Sequence, residues 1–267
     1  MAKIKPAWIG YLEDAPIDWA GYETLAKLGY QAMEGGDNLL TGNAADNVKR
    51  FKDLGLRVLT AAADLDEIRA GIYRPGIEKA RRLGADFATV YACSVNASLW
   101  GDNTPPEHSK AMSDIEAMEK AAKAFKEEGV RLCYHNHFQD FTVSFGGVRF
   151  FDHLLWNTEH LMLELDVGWV QNGGENPCLL MRRVSSRIAA IHVKDYIDGK
   201  PRQDNTGCMP VFVTVGNGVL DLPAILGMAC SIGVKWAVAE QDAMYNLSPL
   251  ESATASYLNM KETGYIE

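Results

Sequence analysis

Four segments of the sequence place ionisable side chains directly after short apolar runs. Asp166, His192 and Glu240 each end or follow such a run, and a fourth run ends in Tyr134-His135-Asn136-His137. Carboxylate oxygens together with imidazole nitrogens suit Mn²⁺, Mg²⁺ or Co²⁺ better than metals that prefer thiolates. These residue types therefore predict a divalent-metal site, if the fold brings the segments together.

Each of these residues also has an ordinary explanation when it is taken alone. An aspartate after a strand commonly caps a helix, and a strand-end histidine commonly makes a structural hydrogen bond. Glu240, followed by Gln241 and Asp242, could begin a polar loop. The same coincidence on three successive strands favours a shared metal over three unrelated explanations.

The elements that must position these residues alternate regularly along the chain. Short β-branched, aromatic or leucine-rich runs, typical of strands buried on both faces, alternate with amphipathic patterns of helical period. The eight predicted strands are Ile4–Tyr11, Tyr30–Glu34, Arg57–Ala61, Phe87–Ala92, Arg131–His135, Leu161–Asp166, Ile188–Val193 and Trp236–Glu240.

Helix boundaries are also readable from the sequence. Capping boxes are predicted at Thr104-Pro105-Pro106-Glu107 and Ser248-Pro249-Leu250-Glu251, and N-caps at Asp221 and at Asn43 with Asp46. Glycines mark the ends of helices just before proposed strands. These glycines are Gly55, Gly84, Gly129 and Gly233.

Eight strand–helix units in this length predict one closed (β/α)8 TIM barrel over residues 1–267, in which all strands run parallel. The rival is a doubly wound open sheet, but its GxGxxG fingerprint is absent after the first strand. Gly216-Asn217-Gly218 lies instead in a late loop. The longest loop, from about Lys194 to Val215, is expected on the catalytic face.

Composition narrows the function classes. The net charge of -9 and the lack of a basic stripe argue against nucleic acid and anionic membrane surfaces as partners. The first residues lack the apolar core of a secretory signal, and no run reaches the roughly 18 apolar residues of a membrane span. Five cysteines without a CxxC motif predict free thiols and a cytoplasmic protein. A homo-oligomer is compatible with the sequence.

Five segments of the C-terminal half, in this order, resemble the sugar phosphate isomerase/epimerase family, the xylose isomerase-like TIM barrels. That family includes ketose 3-epimerases, inosose dehydratase, hydroxypyruvate isomerase and, distantly, endonuclease IV. The N-terminal half matches only in its strand–helix rhythm. The five segments are Tyr134–His137, Leu165–Val170, Ile191–Asp195, Val215–Asp221 and Glu240–Asp242.

The resemblance implies a divalent metal held by four side chains, one from each late strand. Asp166, His192 and Glu240 occupy three of these positions. The fourth is usually a glutamate at the end of the fifth strand, where this chain has His135. The fourth ligand is therefore His135, Asp140 after a bend, or a water molecule. We expect Mn²⁺ first, with Mg²⁺, Co²⁺ or Zn²⁺ as alternatives.

Such a site is expected to remove a proton next to the carbonyl of a small sugar or keto-sugar through an enediolate, as an isomerase or epimerase. The alternative is a lyase or dehydratase on a keto-sugar, keto-glycoside or inosose. Glu240, His137 and Asp140 are the candidate catalytic residues, although His137 could equally orient a ligand.

Four residues are candidates for substrate binding, each with a plainer alternative. Lys194 could be an ordinary surface lysine, and Glu34 could be solvated or face a helix. Trp100 and Trp169 could stack on a sugar ring or simply pack the barrel. Glu164 is interpreted as a buried carboxylate paired inside the strand layers rather than as a catalyst.

Two rival functions remain. One is a phosphodiesterase resembling endonuclease IV, which needs many histidine ligands at strand ends and a basic surface. The six histidines of this chain leave too few at strand ends, and its net charge is negative. A barrel that binds a sugar without turning it over is kept open by the altered position at His135.

Overall fold

The strands of the computed structural model, which describes residues 2–197 and 209–267, form a parallel ring. Its strands are β1 (Lys5–Ile9), β2 (Ala32–Met33), β3 (Arg57–Val58 and Thr60–Ala62), β4 (Phe87–Val90), β5 (Arg131–His135), β6 (Met162–Asp166), β7 (Ile188–Ile197) and β8 (Trp236–Glu240). Neighbouring strands pair in parallel around the ring, and β8 pairs with β1.

The ring closes through β3, whose two pieces are separated by Leu59. The first piece pairs with β2 and the second with β4. The N–H of Leu59 donates to the carbonyl of Met33 (2.7 Å), and its own carbonyl accepts from the N–H of Asp86 (2.9 Å). Nine strand segments therefore occupy eight positions, and the predicted (β/α)8 TIM barrel is confirmed.

Eight longer helices follow the strands. They are α1 (Trp19–Leu28), α2 (Ala44–Asp53), α3 (Arg74–Leu83), α4 (His108–Glu127), α5 (Phe150–Asn157), α6 (Pro177–Arg183), α7 (Leu222–Ser231) and α8 (Pro249–Glu262). Shorter helical segments are Asp37–Leu40, Leu65–Arg69, Ala97–Trp100, Gln139–Thr142, Val167–Asn172 and Ser185–Arg187. None of the helices in the described ranges is both long and apolar enough to cross a bilayer.

Three of the four predicted helix starts are confirmed. Ser248 forms a full capping box with Glu251, and Asp221 and Asn43 accept backbone N–H groups as N-caps. The prediction of a capping box at 104–107 was wrong, because α4 begins only at His108. Its N-cap residue is Glu107, which makes no side-chain hydrogen bond to the helix. The residue before a proline is disfavoured in the helical region, so two successive prolines delay the helix.

Strand lengths depart from the prediction at β2 and β7. β2 is reduced to two residues. β7 continues four residues beyond Val193, because a short strand, Val211–Val213, pairs antiparallel with its end. Strand residues therefore occupy both ends of the segment that was predicted to be one long loop. Its centre, residues 198–208 with Cys208, lies outside the described residues.

The barrel has an apolar core both inside and outside the sheet. Small or apolar side chains such as Ala7, Ala32, Phe87 and Val238 fill the lower interior, and a second cluster packs the helices onto the sheet. Towards the C-terminal ends of the strands the interior becomes polar. This layer contains Glu34, Thr60, Thr89, His135, Glu164 and His192, all buried.

Two further strands form a hairpin before α5, Ser144–Phe145 with Val148–Arg149. The four described cysteines (Cys93, Cys133, Cys178 and Cys230) are free thiols.

Candidate metal centre

The last four strands bring four potential metal ligands to one point at the C-terminal end of the barrel. Parallel pairing sets His135 opposite Glu164, and His192 opposite Asp166. The ligand atoms of His135, Asp166, His192 and Glu240 all lie within 4.8 Å of one another. We call these four residues the ligand cluster. Each of them is buried, with an exposure of 9% or less.

The chemistry of this cluster fits a cation. His135 Nε2 lies 3.7 Å from Asp166 Oδ2, and His192 Nδ1 lies 2.7 Å from Glu240 Oε2. Within the described residues, Asp166 Oδ2 is buried without a hydrogen-bond partner. A buried acceptor left unpaired is costly and points to an ion or water that would satisfy it. Two carboxylates and two imidazoles make a donor set for a divalent ion.

Local backbone interactions hold Asp166 in place. Its Oδ1 accepts from the N–H of Trp169 (2.8 Å) and so caps the short helix Val167–Asn172. The side-chain amide of Asn136 accepts from the backbone N–H of Asp166 (3.0 Å) and donates to its carbonyl (3.1 Å). Oδ2 alone remains directed at the ligand cluster.

The ammonium group of Lys194 lies beside this centre. Its Nζ lies 3.4 Å from Asp166 Oδ2, 3.1 Å from Glu240 Oε1 and 3.0 Å from Asp242 Oδ2. Its side chain is buried against the ring of Trp169. The alternative interpretation of Lys194 as an ordinary surface lysine is therefore wrong. Burial opposes its charge, but Asp242, Glu240 and Asp166 together raise the pKa of Lys194.

The same charges fix the protonation of two ligands in the metal-free protein. Burial would raise the pKa of Glu240, but Lys194 and His192 hold it well below its usual value. Burial would lower the pKa of His192, but Glu34, Glu164 and Glu240 raise it well above its usual value. Glu240 is therefore a carboxylate, ready to bind a cation.

Two further carboxylates lie on the inner side of the ligand cluster. Glu34 Oε2 is 2.8 Å from His192 Nε2, and Glu164 Oε2 is 3.4 Å from the same nitrogen. Glu164 Oε2 is also 3.9 Å from His135 Nδ1. Both carboxylates are fully buried, which agrees with the interpretation of Glu164 as a buried carboxylate. The structure places His192 beside it. Glu34 faces the barrel interior rather than a helix or solvent.

His137 lies beside the cluster with a defined tautomer. Asn96 Oδ1 accepts from the N–H of Cys93 (2.7 Å), so the amide nitrogen of Asn96 faces His137 Nδ1 at 3.1 Å. Nδ1 therefore accepts, which places the imidazole proton on Nε2. Burial, with Lys194 nearby, lowers the pKa of His137 to about 3, so its ring is neutral.

Asp140 lies outside the ligand cluster. Its two oxygens accept from the Tyr134 hydroxyl (2.9 Å) and from the N–H of His137 (2.7 Å). Burial raises the pKa of Asp140 to about 7. In this arrangement Asp140 shapes the turn that carries His137, while His135 supplies the fourth atom of the cluster.

The two tryptophans differ in exposure. Trp169 is 1% exposed and packs against His137 and Phe138, whereas Trp100 is 59% exposed. The ring centroid of Trp100 lies 5.5 Å from that of His137. Trp100 also lines a cavity of about 380 Å³ between the ends of β3 and β4. The exposed indole of Trp100 therefore lies between this cavity and the neutral ring of His137.

Sequence reasoning missed several residues of this region. Asp242 and Asn96 gave no signal beyond a polar residue after a strand. Asp195 accepts from the N–H groups of Gly216 (3.0 Å), Gly218 (2.9 Å) and Leu220 (3.2 Å). A Cβ on Gly218 would lie 2.2 Å from Asp195 Oδ1, which explains this glycine. The segment Val215–Asp221, which contains both glycines, was the clue that the sequence offered.

Comparison with known families agrees with this fold. Residues 22–258 match the family described as xylose isomerase-like TIM barrel. The chain belongs to this family.

Individual xylose isomerase-like relatives are distant. Inosose dehydratase of Klebsiella pneumoniae is 28% identical over 153 residues, which is 52% of this chain and 50% of that protein. The chain therefore matches about half the length of this curated relative. Among solved structures, a sugar phosphate isomerase/epimerase from Parabacteroides distasonis has a TM-score of 0.76 at 18% identity, over 100% of both chains.

A second solved structure is the IolI protein with a bound zinc atom. Its TM-score is 0.71 at 16% identity, and the match covers 98% of this chain and 99% of that one. At these identities the solved structures support the fold alone. They leave the reaction and the metal of this chain open.

Proposed function

We propose that this protein is a divalent-metal-dependent enzyme that removes a proton next to the carbonyl of a small sugar or keto-sugar, and acts as an isomerase or epimerase. The single observation that carries the proposal is the convergence of four buried ligand atoms within 4.8 Å. Mn²⁺ is our first choice for the ion, because the ligand cluster contains nitrogen and oxygen but no thiolate.

His135, Asp166, His192 and Glu240 would hold the ion. When bound, the ion supplies a Lewis acid and a template for a substrate carbonyl and its neighbouring hydroxyl. Lys194 balances the charge of Asp166 and Glu240, and its buried ammonium is also placed to donate to a substrate oxygen.

Proton transfer is assigned to residues around the cluster. Glu240 is our candidate for the base that accepts the proton of the substrate carbon, because its carboxyl group is ionised and belongs to the ligand cluster. His137 carries its proton on Nε2, which suits it to donate to a substrate oxygen. Trp100, which is exposed beside His137, would contact the apolar face of the sugar, whereas Trp169 is buried and packs against His137. Asp140 acts through the turn of His137.

A lyase or dehydratase acting on a keto-sugar, keto-glycoside or inosose is the second candidate. It is favoured by the similarity to inosose dehydratase over half of the chain. Such an enzyme would start with the same proton removal and then expel a β-oxygen. Through its Nε2–H, His137 would hydrogen-bond to the departing oxygen, and the proton taken from the carbon by Glu240 would be returned to that oxygen.

The test combines metal analysis with exchange into deuterated water. The purified protein is loaded with Mn²⁺, freed of unbound ion, and incubated with keto-sugars and inososes. After chelation of the ion, the sugars are examined by NMR. Deuterium at the carbon next to the carbonyl, with an isomer or epimer, supports the first candidate. Loss of water or of an alcohol supports the second.

The matched control is the His192→Ala variant treated in the same way. We expect neither metal nor exchange in this variant. A metal-loaded wild-type protein that exchanges no proton and eliminates nothing would contradict both candidates, and would favour a sugar-binding role.

A further inference from the structure

The inner side of the ligand cluster contains buried polar atoms that the proposed reaction does not use. Both oxygens of Glu164, Oε1 of Glu34, Nδ1 of His135 and Nε2 of His192 have no hydrogen-bond partner within the described residues. Glu34 and Glu164 are both 0% exposed. Buried carboxylates are costly unless they compensate a nearby donor or charge, so this pair requires an explanation.

The explanation lies in the two nitrogens of His192. Nδ1 lies on the side of Glu240, at 2.7 Å, whereas Nε2 lies on the side of Glu34 and Glu164, at 2.8 and 3.4 Å. A neutral imidazole carries one proton, and the acceptors around it decide which nitrogen keeps that proton. Two carboxylates on one side favour a proton on Nε2.

His135 is arranged in a similar way. Its Nε2 faces Asp166 at 3.7 Å, and its Nδ1 faces Glu164 at 3.9 Å. The ring centroids of the two histidines are 4.5 Å apart, and Glu164 Oε2 lies within 4 Å of a nitrogen of each ring. Glu164 is therefore the residue that both imidazoles share on the side opposite to the ligand cluster.

We propose that Glu164, assisted by Glu34, is a positioning residue that keeps the His192 proton on Nε2 and thereby directs Nδ1 to the metal ion. His135 is oriented by the same carboxylate and presents Nε2. This proposal rests on the metal site of the proposed function, but not on the reaction assigned to it. Carboxylates that accept from metal-bound histidines raise the basicity of the ligand and fix its orientation.

Amide variants of the two glutamates test the role. Glu164→Gln and Glu34→Gln keep the size of the side chain and replace its carboxyl group with an amide. Glu164→Asp keeps the carboxyl group. Thr89→Val is the matched control, since Thr89 is also buried in the barrel but its side-chain hydroxyl bonds only to that of Thr60 among the described residues. Zn²⁺ affinity is measured for each protein by competition with a chelator.

We expect Glu164→Gln to weaken Zn²⁺ binding by about 10- to 100-fold, the usual effect of losing such a partner. The loss for Glu34→Gln should be smaller or similar, and Glu164→Asp should recover part of the affinity. Thr89→Val should bind Zn²⁺ as the wild type does. Wild-type affinity in both glutamine variants would overturn the proposal.

A second readout is the tautomer of His192 in the Zn²⁺-loaded wild-type protein, which is measured from long-range ¹H–¹⁵N correlations of ¹⁵N-labelled histidine. We expect the proton on Nε2 and the metal on Nδ1. Metal on Nε2 would overturn the proposal even if the variants fail to fold. Neither readout involves a sugar. If both come out as expected and no sugar reacts, the proposed function fails while the positioning role stands.

Discussion

The two halves of the barrel differ sharply where their strands end. β5 to β8 each contribute a metal-binding residue type to one point, and β7 adds Lys194. In the first half, β3 and β4 place Thr60 and Thr89 there, and their hydroxyls bond to each other at 2.7 Å. Glu34, just after β2, is the one first-half carboxylate that contacts the cluster among the described residues.

The difference teaches how a barrel accommodates so many buried charges. A carboxylate or an ammonium alone in the interior would be costly, so ionisable groups are concentrated where each compensates another. In the first half, the hydroxyls of Thr60 and Thr89 bond to each other and lie outside this group of charges. We therefore expect substitutions of the charged residues of the second half to remove metal binding or several kcal/mol of stability. Apart from Glu34, substitutions at the strand ends of the first half should cost less.

Replacing His192 with Ala should have the largest effect, because the imidazole is central to the ligand cluster. We expect the metal content to fall to background while the barrel stays folded, since the ligands contribute more to function than to the core. Elemental analysis and circular dichroism measure the two properties. Normal metal content in the folded variant would refute the site.

Replacing Lys194 with Met should destabilise the metal-free protein by about 3–5 kcal/mol, the usual cost of removing one partner from a buried ion pair. The variant leaves Asp166, Glu240 and Asp242 without their shared cation. Urea unfolding with and without Mn²⁺ tests this. The ion should restore part of the loss, and an equal loss under both conditions would contradict the assigned charge balance.

Replacing Asp140 with Asn should change how stability depends on pH. Burial raises the pKa of folded Asp140 to about 7 from the ordinary aspartate value of 3.8. Below pH ~4 the carboxyl group is protonated in both the folded and the unfolded chain. Between pH ~4 and about 7 it ionises in the unfolded chain first, so the free energy of unfolding falls as the pH rises. Relative to the variant, the wild type should lose about 2–4 kcal/mol over this range and no more above it.

Urea unfolding of both proteins at several pH values between 4.5 and 8.5 measures that difference. A difference that does not change with pH would mean that Asp140 titrates normally.

Replacing Thr89 with Val should have the smallest effect. It leaves the Thr60 hydroxyl without its partner and should cost about 1–2 kcal/mol, which is typical of one lost buried hydrogen bond. Metal content should be unchanged. Loss of the metal in this variant would end the distinction between the two halves.

Much of the ligand cluster could be predicted from the sequence, because strand ends in a parallel barrel converge whatever the loops do. Asp166, His192 and Glu240 follow from that rule. The surroundings could not be predicted, since they depend on side chains that meet across many residues. Glu34 and His192 are far apart in sequence, and Lys194 resembled any lysine that follows a strand.

The loops resisted prediction for a related reason. The extension of β7 depends on pairing with Val211–Val213, and the delayed start of α4 depends on two prolines. The hydrophobic periodicity of a short segment does not show which distant strand will pair with it. It also does not show whether a capping motif or the stereochemistry of a neighbouring proline decides where a helix begins.

The double duty of Asp166 limits how this centre can be re-engineered. Oδ1 accepts from the amide of Trp169 and caps the short helix Val167–Asn172, whereas Oδ2 is directed at the ligand cluster. Replacing Asp166 in order to change the ligand set would therefore remove a helix cap at the same time.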